Sequence, residues 1–377
     1  MIMDLPKRTW AEIDLGAIAH NYREMRSRLP DGTRFLGVVK SNAYGHGAVK
    51  VASLLETLGA DYLAVACLDE AIELRENGIS LPILILGPTP TVYTPELIRY
   101  NITQSLVSTK AALEMNELAL GLGQTVRVHL KVDSGMGRVG FICREDRDPE
   151  QEMADVMTLK GLDVEGIFTH FAVSDVLGDA YTDVQFKRFT GLISRLEAKS
   201  GRKFKIRHCT NSGAMINYAD TYLDMVRPGI ALYGCYPDKD KGDLTLMPAM
   251  SVRTRIAQIK TYRDGDTISY GRTYTVHGTK RIAVVPIGYA DGLHRVLSGK
   301  IDMLVRGKRV QQVGRICMDM CMLDITDIPD AEEGDIVTLF GRDGDEFIPI
   351  EEQAEKAGTI SYEFMCDMAP RVTRIYK

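Results

Sequence analysis

The stretch RFLGVVKSNAYGHG (34–47) decides the fold class and raises the first functional question. Its first half is a short apolar run, typical of a strand that is buried on both faces. The run ends in Lys40, and a turn of small residues with two glycines follows. A lysine at a strand end is most often a solvated charge, so a lysine that closes a buried strand requires an explanation.

Seven similar runs follow the first. The candidate strands are RFLGVVK (34–40), DYLAVAC (61–67), LPILILG (81–87), ITQSLVS (102–108), TVRVHLKVD (125–133), VEGIFTHF (164–171), FKIRHCT (204–210) and MVRPGIALYG (225–234). Helix-period stretches separate them, such as AVKVASLLETLGA (48–60), LDEAIELRENG (68–78) and DVQFKRFTGLISRLEAKSG (183–201). This α/β alternation predicts a (β/α)8 TIM-type barrel. An open doubly wound sheet is the alternative, although it normally has fewer strands.

The pattern changes in the last third of the chain. PDKDKGD (237–243) is polar and typical of a domain boundary. The runs beyond it, VRTRIAQIKTY, RIAVVPIGYA, KIDMLVRGKRVQQVG and DIVTLFG, are separated by glycine and aspartate turns, as in a mostly-β domain. We expect a barrel over residues 1–240 and a β-rich domain over 241–377. The opening RTWAEIDL (8–15) also predicts a strand, which could belong to either part.

Composition limits the classes of function. The 377 residues carry a formal charge of −5, which provides no basic surface for nucleic acid or an anionic membrane. No apolar stretch approaches the ~20 residues of a membrane span, and the start MIMDLPKRTW lacks a secretory signal, so we expect a cytoplasmic protein. The seven cysteines lie singly, without the spacing of a zinc or redox pair, and we expect no metal.

Polar residues collect at the carboxyl ends of the candidate strands, where barrels of this type carry their active sites. They are Lys40 after the first strand, Lys131 and Asp133 after the fifth, His170 after the sixth, Asn211 and Ser212 after the seventh, and Arg227 and Gly229 at the eighth. A lysine held against apolar residues has a lowered pKa and can form a Schiff base with a carbonyl. Lys40 is therefore the candidate reactive amine.

The loops after the last two strands are the usual phosphate site of a barrel. Gly229 would let backbone N–H groups approach an oxyanion, and Ser212 would add a hydroxyl, although Ser212 could equally be a plain helix N-cap. Arg227 points to function because an unpaired buried guanidinium is costly. A lysine plus a phosphate site indicates an aldehyde cofactor that bears a phosphate. Pyridoxal phosphate fits, and so does a class I aldolase acting on a sugar phosphate.

The motifs now resemble one family. VVKSNAYGHG (38–47) resembles the cofactor-lysine motif of alanine racemases. Further motifs of that family follow in its order: KVDSGMGRVGF (131–141), FTHFAVSD (168–175), TNSGAM (210–215), MVRPGIALYG (225–234), SYGRTY (269–274), PIGYADG (286–292), GRICMDM (314–320) and TISYE (359–363). The resemblance covers essentially the whole chain. It implies the barrel with a β domain, pyridoxal phosphate, and interconversion of L- and D-alanine by a homodimer, with the D-alanine used in cell-wall synthesis.

The resemblance also implies roles. Lys40 would hold the cofactor as a Schiff base. Further cofactor contacts would come from Tyr44, His170, Asn211, Ser212, Arg227, Gly229, Ile230 and Tyr362, with Arg227 against the pyridine nitrogen. Arg138, Met318 and Tyr289 would contact the substrate or line its entrance, and Lys131 resembles a lysine that the family often carries as a carbamate. Tyr270 would be the second base and would reach into the neighbouring subunit's site.

Two bases suit the chemistry, because racemisation removes a proton from one face of Cα and delivers one to the other. A free phenol has a pKa of about 10, so Tyr270 would need help from positive charge near Arg227 and His170. Arg227 is always charged and only donates, which should leave the pyridine nitrogen unprotonated and disfavour transamination.

Three alternatives remain at this stage. A serine or broad-specificity racemase would use the same residues, although the bulky Tyr362 favours alanine. A related barrel decarboxylase fits Arg227 and Tyr270 poorly, and a non-catalytic pyridoxal-phosphate carrier would lack the β domain. We interpret His46 as a turn residue, and His129 and His208 as hydrogen-bonded residues of the barrel core.

Overall fold

The computed structural model of the chain describes residues 7–238 and 242–377. The strands are β1 (Thr9–Ile13), β2 (Arg34–Val38), β3 (Tyr62–Val65), β4 (Ile83–Ile85), β5 (Ile102–Leu106), β6 (Val126–Asp133), β7 (Phe141–Ile142), β8 (Leu162–Phe168), β9 (Ile206–His208), β10 (Met225–Val226), β11 (Met250–Arg255), β12 (Gln258–Tyr262), β13 (Thr267–Ile268), β14 (Tyr274–Thr275), β15 (Lys280–Val285), β16 (Asp302–Val305), β17 (Lys308–Val313), β18 (Cys321–Asp324), β19 (Ile336–Asp343), β20 (Glu346–Ile348) and β21 (Thr373–Tyr376).

The helical segments are α1 (Leu15–Arg26), α2 (Lys40–Tyr44), α3 (Ala48–Leu58), α4 (Leu68–Glu76), α5 (Thr94–Arg99), α6 (Thr109–Gly121), α7 (Glu150–Val156), α8 (Tyr181–Ser200), α9 (Ser212–Asn217), α10 (Ile350–Ala357) and α11 (Ser361–Cys366). Short 3-10 turns lie at Thr91–Tyr93, Ala219–Thr221, Ile230–Tyr233, Tyr270–Arg272, Tyr289–Asp291 and Arg295–Leu297. Within residues 7–238 and 242–377, no helix has both the length and the hydrophobicity that crossing a membrane requires.

The chain divides into two units. Among the described residues, the barrel unit comprises residues 18–43, 47–238 and 242–247, and the β unit comprises residues 7–17, 44–46 and 248–377. The expected boundary after residue 240 falls among residues 239–241, which lie outside the described residues. That boundary therefore stays a prediction.

The barrel unit is built on a parallel sheet in the order β10-β2-β3-β4-β5-β6-β8-β9, with β7 added beside β6. Backbone N–H groups of Asp224 and Arg227 donate to the carbonyl oxygens of Arg207 (3.0 Å) and Thr210 (2.8 Å), which links β10 back to the β9 segment. Eight parallel strands thus form a nearly closed ring. This confirms the predicted (β/α)8 barrel and its eight strands, and excludes the open doubly wound sheet.

Burial explains why these runs became strands and helices. All residues of β3 and β5 are buried, as expected for strands covered on both faces. Helix α3 buries Ala48, Val51, Ala52 and Leu55, a stripe at helical spacing that packs on the sheet. It ends where Gly59 takes the left-handed conformation, with φ at 85°.

The β unit contains a ten-stranded sheet in the order β12-β15-β18-β17-β16-β19-β11-β1-β21, with β20 beside β19. Strand β11 alternates buried and half-buried residues, so one of its faces meets the core. Strand β1 pairs antiparallel with β11 and parallel with β21. The opening strand therefore belongs to the β unit, and the predicted mostly-β domain is confirmed.

Candidate active site

Lys40 lies one residue beyond β2, after Val39, and opens the turn α2. Ser41, Asn42 and Ala43 in this turn have φ values of 52°, 53° and 53°, so the turn is left-handed although none of the three is glycine. Such conformations are costly for residues with a Cβ and concentrate at functional sites. The carboxylate of Glu70, in the first turn of α4, accepts the backbone N–H of Ser41 (2.6 Å) and so anchors the start of the turn.

Four basic side chains act electrostatically on His170 at the carboxyl ends of the barrel strands. Burial, followed by the positive charges of Arg227, Lys131, Arg138 and Lys40, holds the pKa of His170 well below its ordinary value. The structure therefore brings together four residues that the sequence placed at separate strand ends, Lys40, Lys131, His170 and Arg227, and adds Arg138 from the loop after β6. His170 is a neutral imidazole in this environment at neutral pH.

Lys131 is the most deeply buried of these amines, with 3% of its surface exposed. Its Nζ donates to the carbonyl oxygen of Val132 (3.1 Å) and lies 4.9 Å from the ring centroid of Phe168. Burial, together with the charges of Arg227 and Arg138, lowers the pKa of Lys131 to about 7. A large fraction of Lys131 is therefore an uncharged amine near neutral pH.

The loop that carries Arg138 is organised by Asp133 at the end of β6. Its carboxylate accepts the backbone N–H groups of Gly135 (3.0 Å), Gly137 (3.1 Å) and Arg138 (3.0 Å). Burial opposes ionisation, but these donors and the Arg144 guanidinium lower the pKa of Asp133. The ionised Asp133 shapes the loop, while the exposed Arg138 is available to a ligand.

Arg227 follows β10 and is 4% exposed. Its Nη2 donates to the carbonyl oxygens of Thr169 (2.8 Å) and Cys209 (3.1 Å), and lies 3.5 Å from Nδ1 of His170. Its Nη1 donates to Nδ1 of His208 (2.9 Å). Burial lowers the pKa of Arg227 to about 10, so the group remains a cation at neutral pH.

Ser212 and Gly229 meet in the loops after β9 and β10. The hydroxyl oxygen of Ser212 accepts the backbone N–H groups of Gly229 (2.9 Å) and Ala231 (3.3 Å). Asn211 is the N-cap of α9, where its side chain accepts the N–H of Ala214 (2.9 Å). The plain N-cap reading of Ser212 is therefore wrong, because Asn211 satisfies the helix end. Ile230 is fully buried beside this cluster.

In the β unit, Tyr44 and Tyr362 lie side by side. Their ring centroids are 6.0 Å apart, and Tyr44 is only 6% exposed. Burial, and then the neighbouring Tyr362, raise the pKa of Tyr44 far above its ordinary value, so its hydroxyl stays protonated. Next to it, a Cβ on Gly45 would lie 2.4 Å from the carbonyl oxygen of Met365, and Nδ1 of the buried His46 lies 3.0 Å from the carbonyl oxygen of Tyr44.

Tyr270 lies at the tip of a strained turn of the β unit. Ser269 and Arg272 have φ values of 67° and 50°, and Gly271 has 70°. The hydroxyl of Ser269 donates to the carbonyl oxygen of Arg315 (2.6 Å), which ties the turn to the chain before β18. The turn presents Tyr270 outward, with 70% of the residue exposed in the single chain.

Tyr289 and Met318 lie on two turns that pack together in the β unit. The backbone N–H groups of Tyr289 and Ala290 donate to the carbonyl oxygens of Cys317 (3.1 Å) and Met318 (3.0 Å). A Cβ on Gly288 would lie 2.3 Å from the Cys317 oxygen, so this approach requires glycine. Tyr289 and Met318 are 42% and 52% exposed.

Two carboxylates that support the site were not predicted from the sequence. Glu70 holds the turn after Lys40, and Glu165 lies inside the barrel behind His129. The available signal for Glu165 was an acidic residue within the predicted strand VEGIFTHF (164–171), although β8 as the structure has it also contains the acidic Asp163. Glu70 had no such signal, because acidic residues are ordinary in the first turn of a helix.

Comparisons with known proteins agree with the family that the motifs resemble. Residues 13–237 match the sequence model of the family described as alanine racemase, N-terminal domain, and residues 249–376 match that of the C-terminal domain. The alanine racemase of Desulforamulus reducens is 48% identical over 369 residues, which cover 97% of this chain and 98% of that protein.

Solved structures agree as well. An alanine racemase from Clostridium difficile 630 superposes with a TM-score of 0.94 at 42% identity, covering 99% of this chain and 97% of that one. The Bacillus anthracis alanine racemase with bound L-Ala-P gives a TM-score of 0.92 at 38% identity, covering 99% and 96%. From the barrel, the β unit and these full-length matches, we conclude that the chain belongs to the alanine racemase family of isomerases.

Proposed function

We propose that this chain interconverts L- and D-alanine with pyridoxal phosphate bound through Lys40, by a two-base mechanism. The observation that carries the proposal is the cluster of Lys40, Lys131, Arg138 and Arg227 around His170. A concentration of positive charge at the carboxyl ends of barrel strands suits an anionic cofactor and the carboxylate of an amino acid.

The donor set fits a phosphorylated aldehyde. Ser212 offers a hydroxyl beside the backbone N–H of Gly229, next to the buried start of the 3-10 turn at Ile230. Backbone N–H groups and hydroxyls of this kind bind phosphate oxygens. Tyr44 adds a phenol that burial keeps protonated, and therefore a donor, and Tyr362 lies beside it. Asn211 is proposed as a further cofactor contact.

Arg227 is proposed to lie against the ring nitrogen of the cofactor. A guanidinium cannot accept a hydrogen bond, so it would leave that nitrogen unprotonated. Bound pyridoxal phosphate supplies the electron sink that acidifies the Cα proton of an amino acid. Arg227 would moderate that sink, which favours return of a proton to Cα over transamination.

Substrate binding is assigned to Arg138, Met318 and Tyr289. Arg138 would pair with the substrate carboxylate, supported by the loop that Asp133 organises. Met318 would contribute through its backbone, and Tyr289 would line the entrance. Lys131 is proposed to carry a carbamate, because an amine with a pKa of about 7 is partly neutral and therefore nucleophilic at physiological pH.

Lys40 and Tyr270 are proposed as the two bases, each serving one face of Cα. The 70% exposure of Tyr270 in the single chain supports a role in the site of a second copy. A homodimer in which each site uses Lys40 of one chain and Tyr270 of the other follows from this proposal. The cytoplasmic location and the use of D-alanine in peptidoglycan synthesis belong to the same proposal as consequences of family membership.

The test is deuterium exchange at Cα in D2O, with purified protein, pyridoxal phosphate and each enantiomer of alanine and serine. Wild type, Lys40→Ala and Tyr270→Phe are measured together. We expect both enantiomers of alanine to exchange and invert in wild type. Tyr270→Phe should lose exchange mainly with L-alanine, and Lys40→Ala should lose it with both.

The serine measurements set the breadth of the substrate range, with serine exchanging more slowly than alanine if Tyr362 restricts the pocket. A protein that turns yellow through Lys40 but exchanges no substrate deuterium would refute the catalytic assignments. It would instead be a carrier of pyridoxal phosphate.

A further inference from the structure

A chain of hydrogen bonds leads from Arg227 into the interior of the barrel unit. Nη1 of Arg227 lies 2.9 Å from Nδ1 of His208, and Nε2 of His208 lies 2.9 Å from Nδ1 of His129. Nε2 of His129 lies 3.2 Å from Oε2 of Glu165, which also accepts the hydroxyl of Tyr62 at 2.5 Å. We call Arg227, His208, His129 and Glu165 the imidazole chain.

The direction of every bond in the imidazole chain follows from its first member. Arg227 can only donate, so Nδ1 of His208 must accept. A neutral His208 then carries its proton on Nε2 and donates it to Nδ1 of His129. His129 in turn carries its proton on Nε2 and donates it to the carboxylate of Glu165. Any other placement in neutral rings puts two donors or two acceptors face to face.

The ionisation of the groups agrees with this proton order. His129 and His208 are both fully buried, and burial lowers the pKa of each, so both rings are neutral. Burial opposes ionisation of Glu165 as well, but the hydrogen bonds from His129 and Tyr62 lower its pKa to about 2. The imidazole chain thus runs from a cation at Arg227 to an anion at Glu165.

Arg227 is a buried cation, and a nearby negative charge would stabilise it. Among the residues that the structure describes, its partners are carbonyl oxygens and imidazoles, and no carboxylate lies within ion-pair distance of it. A buried cation without a counter-charge is costly. Glu165 supplies a negative charge at the other end of two polarisable rings, and each donation strengthens the next in a site of low polarity.

The strand that carries Glu165 is locally irregular. Val128 of β6 is opposite Val164 of β8, but the next residue, His129, is opposite Gly166, so Glu165 is an extra residue in β8. A bulge of this kind re-aims side chains. Gly166 is also required, because a Cβ there would lie 2.8 Å from both Cε1 and Nδ1 of His129. Two local features of β8 thus make room for the imidazole chain.

We propose that Glu165 is a positioning residue for the racemase reaction: it accepts the last hydrogen bond of the imidazole chain and supplies the negative charge at its end, and thereby holds His129, His208 and Arg227 in place. Tyr62 supports it by donating to the same carboxylate. Neither side chain would touch the substrate or the cofactor. This inference rests on the proposed function, in which Arg227 faces the ring nitrogen of pyridoxal phosphate.

The first readout is the protonation of the two imidazoles, which does not depend on activity. Protein with isotope-labelled histidine is studied by NMR, with and without pyridoxal phosphate, so that the ring nitrogens of His129 and His208 report their tautomers. Single substitutions of each ring assign the signals among the seven histidines. Wild type should carry the proton on Nε2 of both rings.

The variants separate charge from shape. Glu165→Gln keeps the size of the side chain and can still accept from His129, but it removes the negative charge. Because Arg227 still donates to His208, both rings should keep the wild-type tautomers, while the weaker last hydrogen bond should move the Nε2–H proton signal of His129 upfield. We expect kcat for alanine to fall by roughly 10- to 100-fold with KM changing less, comparable to losing the partner behind a metal-bound histidine. Tyr62→Phe keeps the carboxylate, so it should retain the wild-type tautomers and lose less activity.

Asp163→Asn is the matched control. Asp163 lies on the same strand, and both it and Glu165 lie near Nε of Arg127, at 3.7 Å and 3.8 Å. Only Glu165 reaches His129, so Asp163→Asn should keep the wild-type tautomers, kcat and KM. A general effect of removing a carboxylate from this end of β8 would instead appear in both variants and would overturn the proposal.

Two further results would overturn it. One is a wild-type His208 with its proton on Nδ1, which needs no variant to detect. The other is a Glu165→Gln enzyme with the wild-type Nε2–H proton signal of His129 and the wild-type kcat. Failure of the proposed function looks different: the wild-type rings would have the expected tautomers while the protein racemised no alanine.

Discussion

At the scale of single residues, Lys131 combines deep burial with neighbouring positive charge. Its pKa is about 7 in the folded chain, against an ordinary value of 10.5. Between these two pH values the unfolded chain binds one more proton than the folded chain. The free energy of unfolding should therefore rise with pH across this window, because folding releases the proton of Lys131 and this release costs less free energy as the pH rises.

Lys131→Met tests this linkage, since it removes the titrating group with little change in size. The variant should be more stable than wild type at pH 7, and the difference should shrink as pH rises, by up to about 1 kcal/mol per pH unit. Urea unfolding at pH 7, 8.5 and 10 in bicarbonate-free buffer measures it. Lys110→Met, at a lysine whose side chain is 86% exposed, is the control and should show a constant difference. Parallel curves for wild type and Lys131→Met would contradict the assignment.

Gly166 is a second residue whose environment allows a sharp expectation. A Cβ there would meet His129 and the carbonyl oxygen of Ile206, each at 2.8 Å. Gly166→Ala should lower the free energy of unfolding by about 1–3 kcal/mol, since overpacking in a rigid core forces shifts. Gly121→Ala is the control, because no atom lies within 4 Å of its added Cβ. Equal stability of the two variants in urea would contradict this expectation, because it would show that the side chain of His129 shifts to accommodate the added Cβ at little cost.

At the scale of elements, the left-handed turn α2 depends on contacts from outside itself. Glu70 accepts the N–H of Ser41 (2.6 Å) and that of Ala66 (2.7 Å), and Asn42 accepts the N–H of Ala48 (2.8 Å). Hydrogen bonds to a charged acceptor are the stronger kind, and they offset part of the cost of positive φ in the turn. The position of Lys40 thus depends on a neighbouring helix.

Glu70→Ala should destabilise the protein by about 1–3 kcal/mol, because two backbone donors lose a charged acceptor. It should also slow or weaken the uptake of pyridoxal phosphate, followed by the absorbance change on binding. Glu73→Ala on the exposed face of the same helix is the control and should bind the cofactor as wild type does. Unchanged uptake by Glu70→Ala would mean that the turn holds Lys40 without this anchor.

Much of the barrel was predictable from local sequence. The eight apolar runs between 34 and 234 became strands in the predicted order, because burial on both faces selects continuous apolar residues. The left-handed turn at Ser41–Ala43 was not predictable, since residues with a Cβ avoid this conformation unless tertiary contacts impose it. Some strands are also shorter in the structure than predicted. Within the predicted strand MVRPGIALYG, only Met225–Val226 forms a strand (β10), and a 3-10 turn follows at Ile230–Tyr233.

At the scale of the whole molecule, the central expectation is that two chains complete each active site. Tyr270 is presented outward on a strained turn, which suits a residue that acts on a partner. Mixing Lys40→Ala chains with Tyr270→Phe chains tests this directly. Each mixed dimer would contain one site with both mutations and one site with neither.

After subunit exchange at equal concentrations, the mixture should recover roughly one quarter of wild-type activity, because random pairing makes half of the dimers mixed and each has one intact site of two. Neither variant alone should reach this level. Each variant mixed with itself under the same exchange conditions is the control. Failure of a demonstrably exchanged mixture to recover activity would place Tyr270 and Lys40 of the same chain in one site.

The sequence by itself determined the strand order, the strand-end position of Lys40 and the family, because these depend on local apolar pattern and on contiguous motifs. Only the tertiary structure decided which polar side chains meet inside the barrel. His129, Glu165 and His208 come from three strands, and an extra residue in β8 sets how they face each other. A hydrogen bond between distant segments depends on a few tenths of an ångström and on side-chain direction, and no local pattern encodes either.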